Sequence, residues 1–134
     1  MAPLSQHLLP DEAVVVRGGV MAEETLNVSA TNHHADHLKG NTAVPWALSV
    51  FSHPSAGIAD ICRRAWPVLS HEKIRVSTVG VLRRLGYEVI EEGKKGHCLV
   101  PLDPSPWDWQ PLRSVGFLPA QPNPEKVRRR KEKA

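Results

Sequence analysis

The sequence predicts an α+β fold: one mixed sheet of about five strands with helices packed on it, in the order β-α-β-α-β-α-β-β-α. Three observations carry this reading. Residues 45–52, PWALSVFS, alternate in polarity as a half-buried strand does. Residues 58–65 place Ile58, Ile61, Cys62 and Ala65 at the i, i+3, i+4, i+7 spacing of an amphipathic helix. Two short apolar runs, 87–90 and 97–100, flank a polar Gly- and Lys-rich turn, the pattern of an antiparallel hairpin. A chain of 134 residues has the size of one domain and can bury a core without a disulfide or metal staple. The folded unit is predicted over 12–118, after a flexible lead-in at 1–11 and before a Pro-rich linker and basic disordered tail at 119–134.

The elements follow in order. AVVVRGG, 13–19, is a β-branched run stopped by two glycines and reads as a buried strand. Residues 21–40 open as a helix, with Glu23 and Glu24 suited to a first turn. The later Asn27, Ser29, Thr31 and Asn32 weaken it, so a helix broken into a loop is expected, with Gly40 as its stop. In 45–52, Trp46, Leu48 and Val50 fall on one side, and Ala47, Ser49 and Phe51 on the other. Pro54 suits the first position of the next helix, which Pro67 closes. KIRV, 73–76, is a short strand with Ile74 and Val76 inward. Ser77 caps a helix over 78–85 with Val81, Leu82 and Leu85 inward, and Gly86 is its left-handed stop. SPWD, 105–108, resembles a capping box opening one helical turn, kinked by Pro111.

Charge narrows the range of partners. The last ten residues hold six basic and two acidic side chains, whereas residues 1–124 hold 11 basic and 12 acidic ones, a net of −1. A body that grips nucleic acid carries its positive charge on the folded face, so only weak, non-specific nucleic-acid contact through the tail is expected. Seven aromatic residues, four of them Trp, leave little for single-strand stacking platforms. Cys62 and Cys98 lack CxxC spacing and read as reduced thiols of a cytoplasmic protein. The first residues have no basic, apolar leader pattern, and no stretch is long enough for a membrane span, so neither export nor membrane contact is expected.

Four groupings are candidates for function. His33 and His37 in TNHHADH stand four apart, a metal-ligand spacing on a helix, but no HExxH glutamate accompanies them. A solvated polar loop is the simpler account, and no metal is expected. Arg17 leaves a buried strand into Gly18-Gly19, where a tight turn, exposed N–H groups and a following helix make an anion site for phosphate or pyrophosphate. The structural alternative pairs Arg17 with an acidic neighbour and leaves the glycines to turn the chain. His97 stands where the hairpin's second strand begins, as a general acid or base or simply as the polar end of a loop. Trp107 and Trp109 flank Asp108 and form either a partner-binding patch or the closure of one end of the core.

VVVRGG followed by ALSVFSHPSAGIADIC, within 13–66, resembles the opening half of small ADP-ribosyltransferase domains. The resemblance implies NAD as the bound nucleotide, with Arg17, Gly18 and Gly19 holding it and Ser49 or Ser52 as the motif serine. The chain has SVFS where the family has Ser-x-Ser, and it has no ExE pair. Glu88, Glu91 and Glu92 therefore stand together as candidates for the glutamate that orients the acceptor.

Residues 78–102, TVGVLRRLGYEVIEEGKKGHCLVPL, are similar to the HicA class of small RNA-cleaving toxins. That resemblance implies His97 as the catalytic histidine, with Lys94 and Lys95 on phosphate. The chain has KGH where that family has GSH. Both resemblances imply a small intracellular bacterial protein of toxin type with a cognate antitoxin or other protein partner. A third expectation is a non-catalytic accessory protein docking through Trp107 and Trp109. The readings part on geometry: the transferase needs Arg17, a serine of 49–52 and Glu88 or His97 in one cleft.

Overall fold

The computed structural model describes residues 9–92 and 96–133. Its fold is α+β, a six-stranded sheet covered on both faces by helices. The strands are β1 (Val14–Gly18), β2 (Ala47–Ser52), β3 (Lys73–Thr78), β4 (Ile90–Glu91), β5 (His97–Pro101) and β6 (Gln121–Pro122), in the spatial order β4-β5-β2-β1-β3-β6. The helices are α1 (Glu23–Leu38), α2 (Ile58–Arg64), α3 (Trp66–Leu69), α4 (Val79–Arg84) and α5 (Pro124–Lys133), with a π-helical turn at Leu112–Gly116. Every pairing is antiparallel, where a mixed sheet was expected.

Alternation assigns the two faces. Val15, Leu48, Val50, Cys98 and Val100 point to one side and pack with Leu26 and Ala30 of α1, Val79 and Leu82 of α4, and Leu112. Val16, Ile74 and Val76 point to the other and pack with Ile61 and Cys62 of α2 and with Val68 of α3. The period of two in the strands and of three to four in the helices thus converts directly into two apolar layers. Each fully buried Val or Leu contributes about 1.5–3 kcal/mol.

Local departures from the sequence reading have identifiable causes. α1 is one unbroken helix despite its polar second half. His33 Nε2–H donates to the Val44 carbonyl, His34 Nδ1–H to that of Pro45 and His37 Nδ1–H to that of Thr42, at 2.7–2.9 Å. The histidine cluster pins the returning connection onto the helix, and His34 also stacks on Trp46 at 3.7 Å. Among the described residues no group of His, Cys, Asp and Glu is arranged to hold a metal.

The cap of α4 is Thr78 rather than Ser77, its Oγ1 accepting from the Val81 N–H. α2 begins after Gly57, later than Pro54 suggested. No helix forms at 105–108; Asp108 instead accepts the Gln110 N–H at the start of the next turn.

The C-terminal stretch corrects the reading of a linker and disordered tail. Residues 121–122 extend the sheet as β6, and 124–133 form α5. Asn123 explains the change. Its Oδ1 accepts the Glu125 N–H, while its Nδ2 donates to the carbonyls of Val68 and His71, so one fully buried side chain caps α5 and ties it to α3. Glu125, also buried, accepts from Arg128 and Arg129, and the Arg128 hydrogen bond is the main cause that holds its carboxyl down to about 2.

Arg75 is the other buried ion. Strand alternation turns it away from Ile74 and Val76, yet it is 7% exposed, and its guanidinium donates to the carbonyls of Arg113, Phe117 and Leu118 at 2.5–2.8 Å. It thereby satisfies the C-terminal end of the π-helical turn. Replacing Arg75 by Ala leaves three carbonyls without that donor. The expected loss is about 3 kcal/mol in urea unfolding, with the slope unchanged. A loss below about 0.5 kcal/mol would show that water replaces the guanidinium at no cost.

Candidate functional site

The site forms where β1 and β2 part. Their ladder holds Val15 opposite Ser52 and Val16 opposite Phe51, whereas β1 pairs with β3 over all five of its residues. Beyond Val16 the carbonyl groups of β2 that face β1 need another donor. Arg17 supplies it. Its Nη1 donates to the Ser49 carbonyl at 2.7 Å, and its Nη2 donates to Ser29 Oγ of α1 at 2.9 Å. One side chain thus bridges the fork and fastens α1 to the sheet.

This guanidinium is electrostatically incomplete. No carboxylate among the described residues lies within 4.0 Å of it, and its buried Nε has no hydrogen-bond partner. Burial pushes its pKa down to about 10, so it keeps its charge at neutral pH. Like Arg75, it is held by oxygen acceptors rather than by a carboxylate; unlike Arg75, it opens on a cavity that an anion can enter. It lines a cavity of 220 Å³ together with Ser29, Ser49, Phe51 and His71.

Across Ser49 lies His97. Ser49 Oγ and His97 Nε2 are 2.6 Å apart, and His97 Nδ1 is 3.0 Å from the Glu92 carbonyl oxygen. The carbonyl can only accept, so Nδ1 carries the proton, and Nε2 of the neutral ring accepts the Ser49 O–H. A hydroxyl, a base and a group that orients the base are therefore in line. The pairing of β2 with β5 sets this up, placing Phe51 opposite His97 and leaving Ser49 diagonal to it on the same face. Gly96 (φ +81°) permits it: a Cβ there would stand 2.8 Å from the Ser52 carbonyl oxygen.

Beside this pair is a second cavity of 320 Å³. Its lining includes Ser29, Asp36, Thr42, Ser49, Glu92 and His97. The Glu92 carboxylate accepts the Thr42 hydroxyl at 2.6 Å. The two cavities meet at Ser29 and Ser49. Together they span the range of about 300–1,000 Å³ typical of small-molecule sites.

Arg17 and Ser49 therefore line one cavity, and Ser49 and His97 line the next. Other sequence candidates stand elsewhere. Glu88 accepts from Arg83 Nε at 2.8 Å, alongside an Arg83–Asp11 pair, and lines neither cavity. Ser52 is 2% exposed on the face opposite Ser49, where its hydroxyl donates to the Val14 carbonyl, and it lines a different cavity of 510 Å³. Gly18 lines the Arg17 cavity, where it gives room to His71, whose ring would lie 2.3 Å from a Cβ; Gly19 (φ +87°) donates its N–H to the Lys73 carbonyl. That N–H is engaged within the fold, so the backbone cradle expected at these glycines reduces to Arg17 alone. Glu91 pairs in β4 opposite Cys98, and Lys94 and Lys95 lie outside the described residues. Trp107 and Trp109 line a separate cavity.

Ser29 and His71 are the residues sequence reasoning missed. Nothing local marks them; they reach the cleft only because α1 packs on β2 and α3 on β1. Comparison with protein-family models, curated proteins and solved structures gave no match to this chain. What the fold and the cleft define is a structural class: an antiparallel α+β sheet carrying a serine–histidine pair beside a buried, uncompensated arginine. Among the described residues, no helix is long and apolar enough to cross a membrane.

An anion that occupies the Arg17 cavity stabilises the folded chain by mass action, by about 2.7 kcal/mol at a hundredfold excess over Kd. Inorganic pyrophosphate is expected to raise the Tm of the wild type progressively with concentration and to leave Arg17→Met unmoved. An equal rise in both proteins would place the anion elsewhere.

Proposed function

We propose that this chain is an enzyme acting on a nucleotide-type substrate, and that transfer of ADP-ribose from NAD is the reaction its cleft fits best. The observation that carries the reading is the run of contacts from Arg17, a cation that lacks a partner carboxylate, through Ser49 to His97 across two adjoining cavities. The cleft's two halves suit a ligand with a diphosphate between two nucleoside ends. NAD enters as substrate, with its diphosphate on Arg17 and the nicotinamide-side ribose at Ser49.

In the reaction the bond between the ribose C1 and nicotinamide breaks, and nicotinamide leaves with the bonding pair. A bond forms between C1 and the acceptor heteroatom, whose proton passes to a base. His97, with Nε2 facing the cleft through Ser49, or the Glu92 carboxylate across it, is placed to take that proton. Glu92 replaces Glu88 as the glutamate that orients the acceptor. Cys62 and Cys98 are both buried free thiols, which supports a reducing, cytoplasmic location.

A second reading keeps the same histidine and changes the substrate. His97 Nε2 already accepts a hydroxyl at 2.6 Å, the geometry a base needs toward a ribose 2′-hydroxyl, so RNA cleavage of the toxin type is its chemical rival. With α5 folded onto the body, the chain's net charge of +3 does not separate the two readings.

Purified wild type, Arg17→Ala, Ser49→Ala and His97→Ala assayed for nicotinamide release separate the two. The transferase predicts release by the wild type. Arg17→Ala should raise KM by at least roughly tenfold, and His97→Ala should lower kcat by about a hundredfold. RNA cleavage lost in His97→Ala and retained in Arg17→Ala would transfer the assignment to a ribonuclease. Wild type inert on both substrates, and without effect on growth when induced, would leave a non-catalytic, partner-binding protein.

A further inference from the structure

A second cavity of distinct chemistry lies apart from the Arg17 cleft. It measures 240 Å³, and its walls include Tyr87, Leu102, Trp107 and Trp109 with the carboxylates of Asp103 and Asp108. The two indoles are tilted by 33° with centroids 5.5 Å apart. Their polar edges are already engaged. Trp107 Nε1–H donates to the Asp103 carbonyl at 2.8 Å, and Trp109 Nε1–H donates to Asn27 Oδ1 of α1 at 2.6 Å. Fixing both N–H groups also fixes the rings. Trp46 adds an edge contact to Trp107 at 5.5 Å, which holds that ring against rotation.

The charge at this cavity has one sign. No lysine or arginine lines it, and neither Asp103 nor Asp108 is ion-paired with another described residue. The field of both carboxylates reaches the Tyr87 hydroxyl, which burial first and then Asp108 and Asp103 push upward in pKa. Aromatic faces present negative quadrupole, so rings and carboxylates here attract the same class of ligand. A strongly hydrated ion such as ammonium loses too much solvation to enter an aromatic box, whereas a methylated ammonium is weakly hydrated and matches the apolar walls.

We infer that the Tyr87–Trp107–Trp109 cavity is a binding site for a methylated ammonium group, with Asp103 and Asp108 supplying the counter-charge. The group is either that of a free choline-like molecule or a trimethylated lysine side chain; the chemistry recognised is common to both. This site stands independently of the reaction proposed for the Arg17 cleft.

The test is calorimetric titration at constant ionic strength with choline, with its neutral isostere 3,3-dimethyl-1-butanol and with an Ala-trimethyllysine-Ala tripeptide. Choline or the tripeptide is expected to bind at least roughly tenfold more tightly than the neutral isostere. Trp107→Leu and Asp108→Asn should each weaken the cation by about fivefold or more. Asp108 is exposed, so its variant tests the charge without risking the core. Tighter binding of the tripeptide assigns the source to a protein side chain, and tighter binding of choline assigns it to a free molecule. Equal affinity for choline and the neutral isostere, or no binding of either cation at about 10 mM, overturns the inference.

Discussion

The guanidinium of Arg17 between β1 and β2 is the contact on which the rest of the cleft depends. After two ladder pairs the strands diverge, and a central sheet cannot leave strand carbonyls without donors. Arg17 closes the gap through the Ser49 carbonyl and, in the same reach, takes Ser29 of α1. Its side chain holds the fork open and fills only part of it. The space that remains is the cavity, and the charge that remains is uncompensated. Retaining an unpaired cation in that position makes sense as a binding element.

The same strand carries the chemistry from the other side. Ser49 offers its carbonyl to Arg17 and its hydroxyl to His97, so one residue links the anion site to the base. Both partners sit on central strands rather than on loops, which holds their distances firmly. The second partner depends on a single tight turn: Gly96 adopts φ +81° against the Ser52 backbone, and this delivers His97 into register beside β2. A hairpin that looks complete as local structure is therefore also the device that places the histidine. His97 is a residue at the end of a strand, as its sequence context suggests, and it lines the cavity that adjoins that of Arg17 at Ser29 and Ser49.

Much of this was legible in the sequence, and the boundary of legibility is physical. Alternation over 45–52 assigned Leu48 and Val50 to one face and Ser49 and Phe51 to the other, because the pleat has a period of two. Gly86 was recognisable as a left-handed stop, which it is, at φ +93°. What could not be read was adjacency. β5 lies next to β2, and β1 next to both β2 and β3, and these neighbours are separated by dozens of residues. Ser29 and His71 reach the cavity walls only through that packing, and Glu92 rather than Glu88 lines one of them for the same reason.

The tail was misread on similar grounds. A run of Lys and Arg reads as a solvated appendage, whereas buried Asn123 and Glu125 anchor it through contacts that no local pattern encodes. The histidine cluster shows the reverse case. Three histidines, two of them at metal-ligand spacing, serve as fasteners for a backbone loop, and only the carbonyls they meet reveal it.

The central claim is positional: the ligand's phosphates lie on Arg17 and its reacting sugar lies against Ser49 and His97. A crystal structure of the complex with ADP-ribose measures this directly. The account predicts diphosphate oxygens within about 3 Å of the Arg17 guanidinium, with the terminal ribose beside Ser49 Oγ and His97 Nε2. ADP-ribose ordered instead in the 510 Å³ cavity near His53 and Arg64, with the Arg17 cleft untouched, would contradict it.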